Sequence, residues 1–135
     1  MFWEGLASEE GNMGRGNIVK SVLIVDDAMF MRHTLRQILE KNGFLVVAEA
    51  ENGLMGAQKY GELLPDIVTM DITMPELNGI GAVQLIKQIN PQAKIVMITA
   101  MGQQHLVREA ILAGASNFLV KPFSEERVVE VLNSI

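Results

Sequence analysis

A chain of 135 residues with 49% hydrophobic content is long enough for one domain with a substantial core. It has no cysteine, which excludes a disulfide framework and a thiolate metal site. A formal net charge of −5 without any Lys/Arg cluster argues against a nucleic-acid surface, no apolar run reaches membrane-spanning length, and the N-terminus lacks the basic start and apolar core of a signal peptide. The expectation is a soluble, cytoplasmic, single-domain protein that neither binds nucleic acid nor inserts in a membrane.

Residues 1–18 differ from the rest of the chain. Met1 to Asn17 carries four glycines and no sustained period, so the stretch reads as a flexible extension. Phe2 and Trp3 are either a docking anchor or a loosely packed end, and Met13 is an alternative start.

Val22 to Val25 is an unbroken apolar run, as expected of a strand buried on both faces, and it runs straight into Asp26 and Asp27. Either aspartate can cap the helix expected over Met29 to Lys41, where Met31, Leu35, Ile38 and Leu39 share one face. Gly43 stands where a left-handed residue ends that helix. Phe44 to Ala50 reads as the second strand, Asn52-Gly53 as a turn, and Leu54, Ala57, Gln58 and Tyr60 as a short helix ending near Leu63. After Pro65, Asp66 to Asp71 is the third strand and again ends in an acid. Thr73 to Gly79 is a loop with proline and glycine at turn positions. Ile80, Val83 and Ile86 then mark the core face of a third helix, and Lys94 to Thr99 the fourth strand.

The loop Met101 to Gln104 leads to a fourth helix, with Leu106, Val107, Ala110 and Ile111 as its expected inner side and Gly114 as its end. Asn117 to Val120 is the fifth strand, followed at once by Lys121-Pro122. Ser124 is a good N-cap, Glu125 and Glu126 suit the first turn of a fifth helix, and Val128, Val129 and Leu132 form its stripe. The pattern is (βα)5. Right-handed crossovers then give an α/β fold, a doubly wound parallel sheet with helices on both faces.

In such sheets sites form beyond the carboxyl ends of the strands, where the strand order switches. Asp26, Asp27, Asp71, Thr99 and Lys121 end four otherwise apolar strands. Singly, each has a bland explanation, such as a surface lysine or a strand-end hydrogen bond; together their identities are not arbitrary. Carboxylates brought within about 4–6 Å raise one another's pKa, and a hard divalent cation relieves the repulsion. All-oxygen ligands suit Mg2+. His33 and His105 end no strand and read as surface residues of helices, which disfavours zinc. Mg2+ at such a site points to phosphoryl transfer, with Asp71 as nucleophile forming an acyl phosphate. The metal would then hold one phosphoryl oxygen, Lys121 a second, and the Thr99 hydroxyl with the Ala100 backbone amide a third.

These motifs resemble the receiver domains of two-component signalling, and among them the stand-alone chemotaxis response regulators of the CheY type. The resemblance covers residues 19–135. It rests on Val22-Leu-Ile-Val-Asp26-Asp27 with Arg32, on Pro65-Asp-Ile-Val-Thr-Met-Asp71-Ile-Thr-Met-Pro75 with Gly79, on Ile98-Thr99-Ala100, on Gly114-Ala115 and on Lys121-Pro122-Phe123. It implies a flavodoxin-like strand order 2-1-3-4-5, which is the known order of this family and not one derived from the pattern. It implies that Asp71 takes phosphate from a phosphohistidine of a CheA-like histidine kinase. Asp27 would ligate Mg2+ directly, Asp26 largely through water, and the Thr73 carbonyl would be a further ligand beside Asp71. Lys121 would pair with the phosphoryl group, and its bond to Pro122 would be cis.

The family's switch couples Thr99 to an aromatic on strand 5, here Phe118, and so alters the surface of helix 4, strand 5 and helix 5. Chemotaxis members usually carry tyrosine there; phenylalanine offers no hydroxyl to a partner. The implied partners are the kinase, a flagellar motor switch protein or another phosphorylation-dependent target, and a phosphatase. The Thr73 side chain is expected near the path of a hydrolytic water, where it would influence the dephosphorylation rate. Autodephosphorylation would be modest chemistry, so the chain is read as a signalling phosphoacceptor and not as an enzyme in the ordinary sense. A phosphorelay intermediate, or the receiver half of a transcriptional regulator, are the alternatives, the latter disfavoured because no linker follows Ile135. A flavodoxin is disfavoured because Asp26 and Asp27 would repel a flavin phosphate, and a degenerate receiver because every expected site residue is present.

Overall fold

The computed structural model describes residues 18–75 and 77–135, so the expected extension, Phe2, Trp3 and Met13 included, lies outside the described residues apart from Ile18. Five strands and five helices alternate: β1 (Ser21–Val25), α1 (Met29–Lys41), β2 (Leu45–Ala50), α2 (Gly53–Leu63), β3 (Ile67–Asp71), α3 (Gly79–Ile89), β4 (Ile95–Thr99), α4 (Gln104–Ala113), β5 (Asn117–Val120) and α5 (Glu125–Asn133). All neighbouring strands run parallel, in the order β2-β1-β3-β4-β5. The Lys121–Pro122 bond is cis. No helix among the described residues is long and apolar enough to cross a membrane.

Alternate residues of each strand serve opposite faces of the sheet. Leu23, Val25, Val68, Met70, Ile95 and Met97 pack under α2, α3 and α4. Val22, Ile24, Ile67, Val96 and Ile98 pack under α1 and α5. This two-sided burial is why β1, β3 and β4 read as continuous apolar runs. The edge strands are less covered, with Leu45 and Val120 partly in solvent.

Several local expectations are corrected. Neither Asp26 nor Asp27 caps α1: Ala28 is the N-cap and makes no side-chain cap bond. Asp26 turns into the sheet's end instead, where its Oδ1 accepts from the Ala28 N–H at 2.9 Å. Asn52 is not part of a free turn but the N-cap of α2, accepting from the Met55 N–H at 2.8 Å. The inner face of α2 is Gly53, Gly56, Ala57 and Tyr60, while Leu54 and Gln58 face solvent. Small residues are needed there because α2 lies close to β1; a Cβ on Gly56 would come within 2.8 Å of a Val25 methyl. In α4, Ala110 is buried and Ile111 is exposed; in α5, Val131 joins Val128 and Leu132 inside, and Val129 is half-buried. Gly43 ends α1 with φ +86°, as expected, and Ser124 caps α5 by accepting from the Arg127 N–H.

The order places β1 between β2 and β3, so the connections leaving β1 and β3 diverge, one to α1 on one face and the other to α3 on the opposite face. A crevice opens between their carboxyl ends. Gly79 holds its α3 side: its N–H donates to the Ile72 carbonyl at 2.8 Å, and a Cβ there would collide with the Asp71 carbonyl oxygen. Gly61, in contrast, has only ordinary contact with Ile89 at 3.6 Å. Urea unfolding should therefore give opposite signs for two identical substitutions. Gly79→Ala should destabilise by about 2–4 kcal/mol through backbone displacement. Gly61→Ala should stabilise by about 0.5–1 kcal/mol through helix propensity. Equal effects would show that α3 does not press on the end of β3 as described.

Candidate functional site

Asp26 follows β1, and Asp27 comes next; Asp71 is the last residue of β3. One carboxylate oxygen from each lies within 4.8 Å of the other two. Asp26 is 1% exposed and Asp71 8%, whereas Asp27 is open to solvent. Lys121, just past β5, reaches over the sheet's end to both buried acids, with Nζ 3.5 Å from Asp71 Oδ1 and 3.7 Å from Asp26 Oδ2. The contact to Asp26 is an ion pair but too long for a hydrogen bond, and Asp26 Oδ2 has no hydrogen-bond donor among the described residues.

The electrostatics follow from burial. Desolvation, then the Asp26 charge, push Asp71 up from 3.8 to about 6 against the opposing pull of Lys121. Asp26 is also raised, chiefly by burial, against its backbone hydrogen bond from Ala28 and the Lys121 charge. One lysine cannot neutralise three carboxylates. A buried carboxylate oxygen lacking a donor, beside two further acid oxygens and one solvent-facing acid, is the donor set that a hard divalent cation takes. The acidic cluster fits Mg2+.

The end of β4 supplies a different chemistry. The Thr99 hydroxyl, buried, donates to Gln103 Oε1 at 2.7 Å, and the Ala100 N–H donates to the same oxygen at 2.8 Å. Gln103 Nε2 donates in turn to the exposed Thr73 Oγ1 at 3.1 Å. Beside this bridge lies a largely apolar hollow of about 470 Å³, which Thr99, Gln103, Val107 and Phe118 help to line. Phe118 is half-buried and packs against the core on the α2–α4 side. His33 and His105 are exposed helix residues, away from the cluster of acids.

Two participants were not singled out from the sequence. Gln103 is one; it belongs to the loop Met101 to Gln104, and the sequence assigns its side chain no role. Glu49 is the other. It accepts from Arg32 Nε at 3.0 Å and from Arg36 Nε at 2.6 Å, while Arg32 Nη1 donates to the Asp26 carbonyl at 2.7 Å. Burial pushes Glu49 up, but the bonds from Arg36 and Arg32 outweigh it and hold the carboxyl below its ordinary range. The signal was present: an acid near the end of β2 opposite two arginines one helical turn apart.

Residues 22–133 match the response regulator receiver domain family, and the chain belongs to that family. Within it, the chain is 61% identical over 112 residues to chemotaxis protein CheY of Bacillus subtilis (strain 168), covering 83% of this chain and 93% of that one. It is 60% identical over 116 residues to CheY of Thermotoga maritima, covering 86% and 97%. The fold superposes with a TM-score of 0.82 on a chain of a CheX–CheY–BeF3–Mg2+ complex from Borrelia burgdorferi, at 37% identity over 85% of this chain and 87% of that one. This is a receiver domain closely related to CheY, and the kinship supports a response regulator in chemotaxis signalling.

The raised Asp71 carboxyl makes a stability prediction with a definite sign. A carboxyl raised on folding costs nothing below its unfolded value of 3.8, and the cost grows until pH passes about 6. In metal-free buffer, Asp71→Asn should therefore stabilise by roughly 2 kcal/mol at pH 7.5, a gain that shrinks below pH 6 and vanishes near pH 4. Mg2+ should narrow the gain. Urea unfolding across this range tests it; a pH-independent gain would mean that Asp71 is not held under charge stress.

Proposed function

We propose that the chain is a phosphorylation-driven switch of chemotaxis whose phosphoacceptor is Asp71. The observation that carries this reading is the convergence of three carboxylate oxygens within 4.8 Å, with Lys121 Nζ beside both Asp26 and Asp71. The receiver unit is taken as residues 19–135.

An Asp71 carboxylate oxygen attacks the phosphorus of a phosphohistidine. The new P–O bond forms as the P–N bond breaks, and the imidazole leaves with a proton taken from solvent. Asp27, Asp71 and the Thr73 carbonyl, with Asp26 largely through water, would hold Mg2+, which when bound would supply charge neutralisation for the transferring group. Lys121 pairs with a second phosphoryl oxygen, exchanging its contacts to the carboxylates for a stronger one. Thr99 Oγ1 and the Ala100 N–H bind a third. Thr99 moving toward the phosphoryl group opens space in the hollow that Phe118 lines, and the ring follows, altering the surface of α4, β5 and α5. The Thr73 side chain stands beside the site, where it tunes later attack by water. Autodephosphorylation returns the switch to its resting state, so the chain acts as a signalling phosphoacceptor.

The partners that this reading implies are a CheA-like histidine kinase and a target such as a flagellar motor switch protein. The Borrelia relative captured with CheX supports a CheX-like protein as a further partner. The site of action is the cytoplasm.

Acetyl phosphate, with and without Mg2+, tests the chemistry. Intact mass should show an adduct of one phosphoryl group only with the metal, peptide mapping should place it on Asp71, and Asp71→Ala should lack it. Lys121→Ala should leave Mg2+ affinity closer to wild type than Asp27→Ala does, while both lose phosphate uptake by about tenfold or more. An adduct retained by Asp71→Ala, or the reverse ranking in the metal titration, would refute the assigned roles.

A further inference from the structure

The two donors that the phosphorylated state requires are already engaged. Thr99 Oγ1 and the Ala100 N–H both donate to one atom, Gln103 Oε1, at 2.7 and 2.8 Å. A backbone N–H can only donate, so the carboxamide oxygen and not the nitrogen must face this pair. The nitrogen is then on the other side, where it donates to Thr73 Oγ1 at 3.1 Å. The side chain thus bridges the loop after β3 to the end of β4, with both of its polar atoms in use.

We propose that Gln103 is an internal competitor for the phosphoryl group: its carboxamide oxygen stands in for a phosphoryl oxygen on Thr99 and Ala100, and phosphorylation displaces it. The proposal rests on the phosphoswitch reading of the site and adds a residue to it. A neutral carbonyl oxygen suits the competitor's part. It satisfies a buried hydroxyl and an amide in the resting state, yet makes weaker hydrogen bonds than a phosphoryl oxygen, so an arriving anion wins the donors.

Gln103 also connects the site to the helix behind it. It is the N-cap residue of α4, and its carbonyl accepts from the N–H groups of Leu106 and Val107, both at 3.0 Å. Its side chain makes no cap bond in the resting state. Displacing the carboxamide therefore changes the contacts of the residue that starts α4, beside the hollow lined by Phe118. Coupling of this kind is reciprocal: whatever the phosphoryl group loses by evicting Gln103, a partner that prefers the evicted loop returns to it.

Beryllium trifluoride, a tetrahedral analogue of the phosphoryl group, provides the probe. Its affinity would be measured by calorimetry at saturating Mg2+ for the wild type and for Gln103→Ala, Gln103→Met and Gln103→Glu, with Mg2+ affinity measured separately. Removing the competitor in Gln103→Ala should tighten binding about tenfold, the worth of two neutral hydrogen bonds. Gln103→Met, which keeps the length and bulk but no acceptor, should do the same. Gln103→Glu should weaken binding about tenfold or more, because a carboxylate holds the donors more strongly and repels the anion. Mg2+ affinity of Gln103→Ala without the analogue should stay within about twofold of wild type. If Gln103 merely orders the loop, both neutral variants would bind the analogue equally or more weakly, and the competition is overturned. If the wild type binds Mg2+ but no analogue, the phosphoswitch reading itself fails. The resting contact has its own readout: the Ala100 amide resonance should shift upfield in unliganded Gln103→Ala, and an unmoved resonance would remove the contact on which the competition depends.

Discussion

Three carboxylates and one lysine share the carboxyl ends of β1, β3 and β5, and much of the molecule's design follows from holding them there. Asp26 and Asp71 are nearly buried, and Lys121 stands 3.5–3.7 Å from both without balancing the charge. Left alone, such a cluster would relax outward into water. It cannot, because β1 and β3 are the inner strands of a sheet packed on both faces, and each acid directly extends a run of buried aliphatic residues. The core thus supports a local arrangement that is unfavourable by itself, as is common where a site must be ready for a charged ligand.

The surroundings divide into a fixed side and an adjustable side. On the fixed side, Arg32 ties the Asp26 carbonyl to Glu49, and Arg36 grips the same glutamate, so the start of α1, the end of β1 and the end of β2 are fastened together. The depressed Glu49 carboxyl means that this fastening persists through the pH range in which Asp71 titrates. On the adjustable side, the loop after β4 carries Gly102 at φ +89° and an exposed Met101, and its hold on the site is the Gln103 carboxamide. A site that must keep its metal ligands in place while exchanging oxygen partners benefits from this division. The proposed metal ligands Asp26 and Asp27 lie on the braced side, and the proposed phosphoryl donors Thr99 and Ala100 lie on the side that can yield.

Strands were more legible in the sequence than helix faces, and the acids more than the groups that bind them. The strand expectations fall within one residue of the structure because two-sided burial leaves largely apolar runs in the inner strands β1, β3 and β4, and turn or charged residues bound the partly exposed edge strands β2 and β5. The inner face of α2 is hard to read from the sequence because Gly53, Gly56 and Ala57 carry little hydrophobic signal, yet Gly56 must be small to approach β1 and Gly53 to approach the Leu77 carbonyl. The acids stood out because a carboxylate ending an aliphatic strand has a cost that needs an explanation. Asp26 still misled as a cap: capping preference is local, whereas its side chain is drawn to the sheet's end by a turn bond to Ala28 and by distant Lys121. Strand order came from the family resemblance alone, since hydrophobic period is blind to which strands are neighbours.

Phe118 shows how a departure from the family's usual residue alters what a switch can transmit. In the proposed cycle the ring moves into space vacated by Thr99. A tyrosine making that move must find a new partner for its hydroxyl or leave it unsatisfied, so polar contacts would enter the equilibrium. Phenylalanine carries no such obligation. Its ring borders a hollow of about 470 Å³ whose lining is largely apolar, and it already packs against the core on the same side. The two positions of the ring in that proposed cycle would therefore differ in packing and exposed apolar area but not in hydrogen bonding. In that proposed cycle a partner of this surface would read shape and apolar area at α4 and β5, and selectivity between the two forms would rest on how completely the hollow is filled. That places more of the coupling on the residues that border the hollow from the site side, Thr99 and Gln103, than on the aromatic itself.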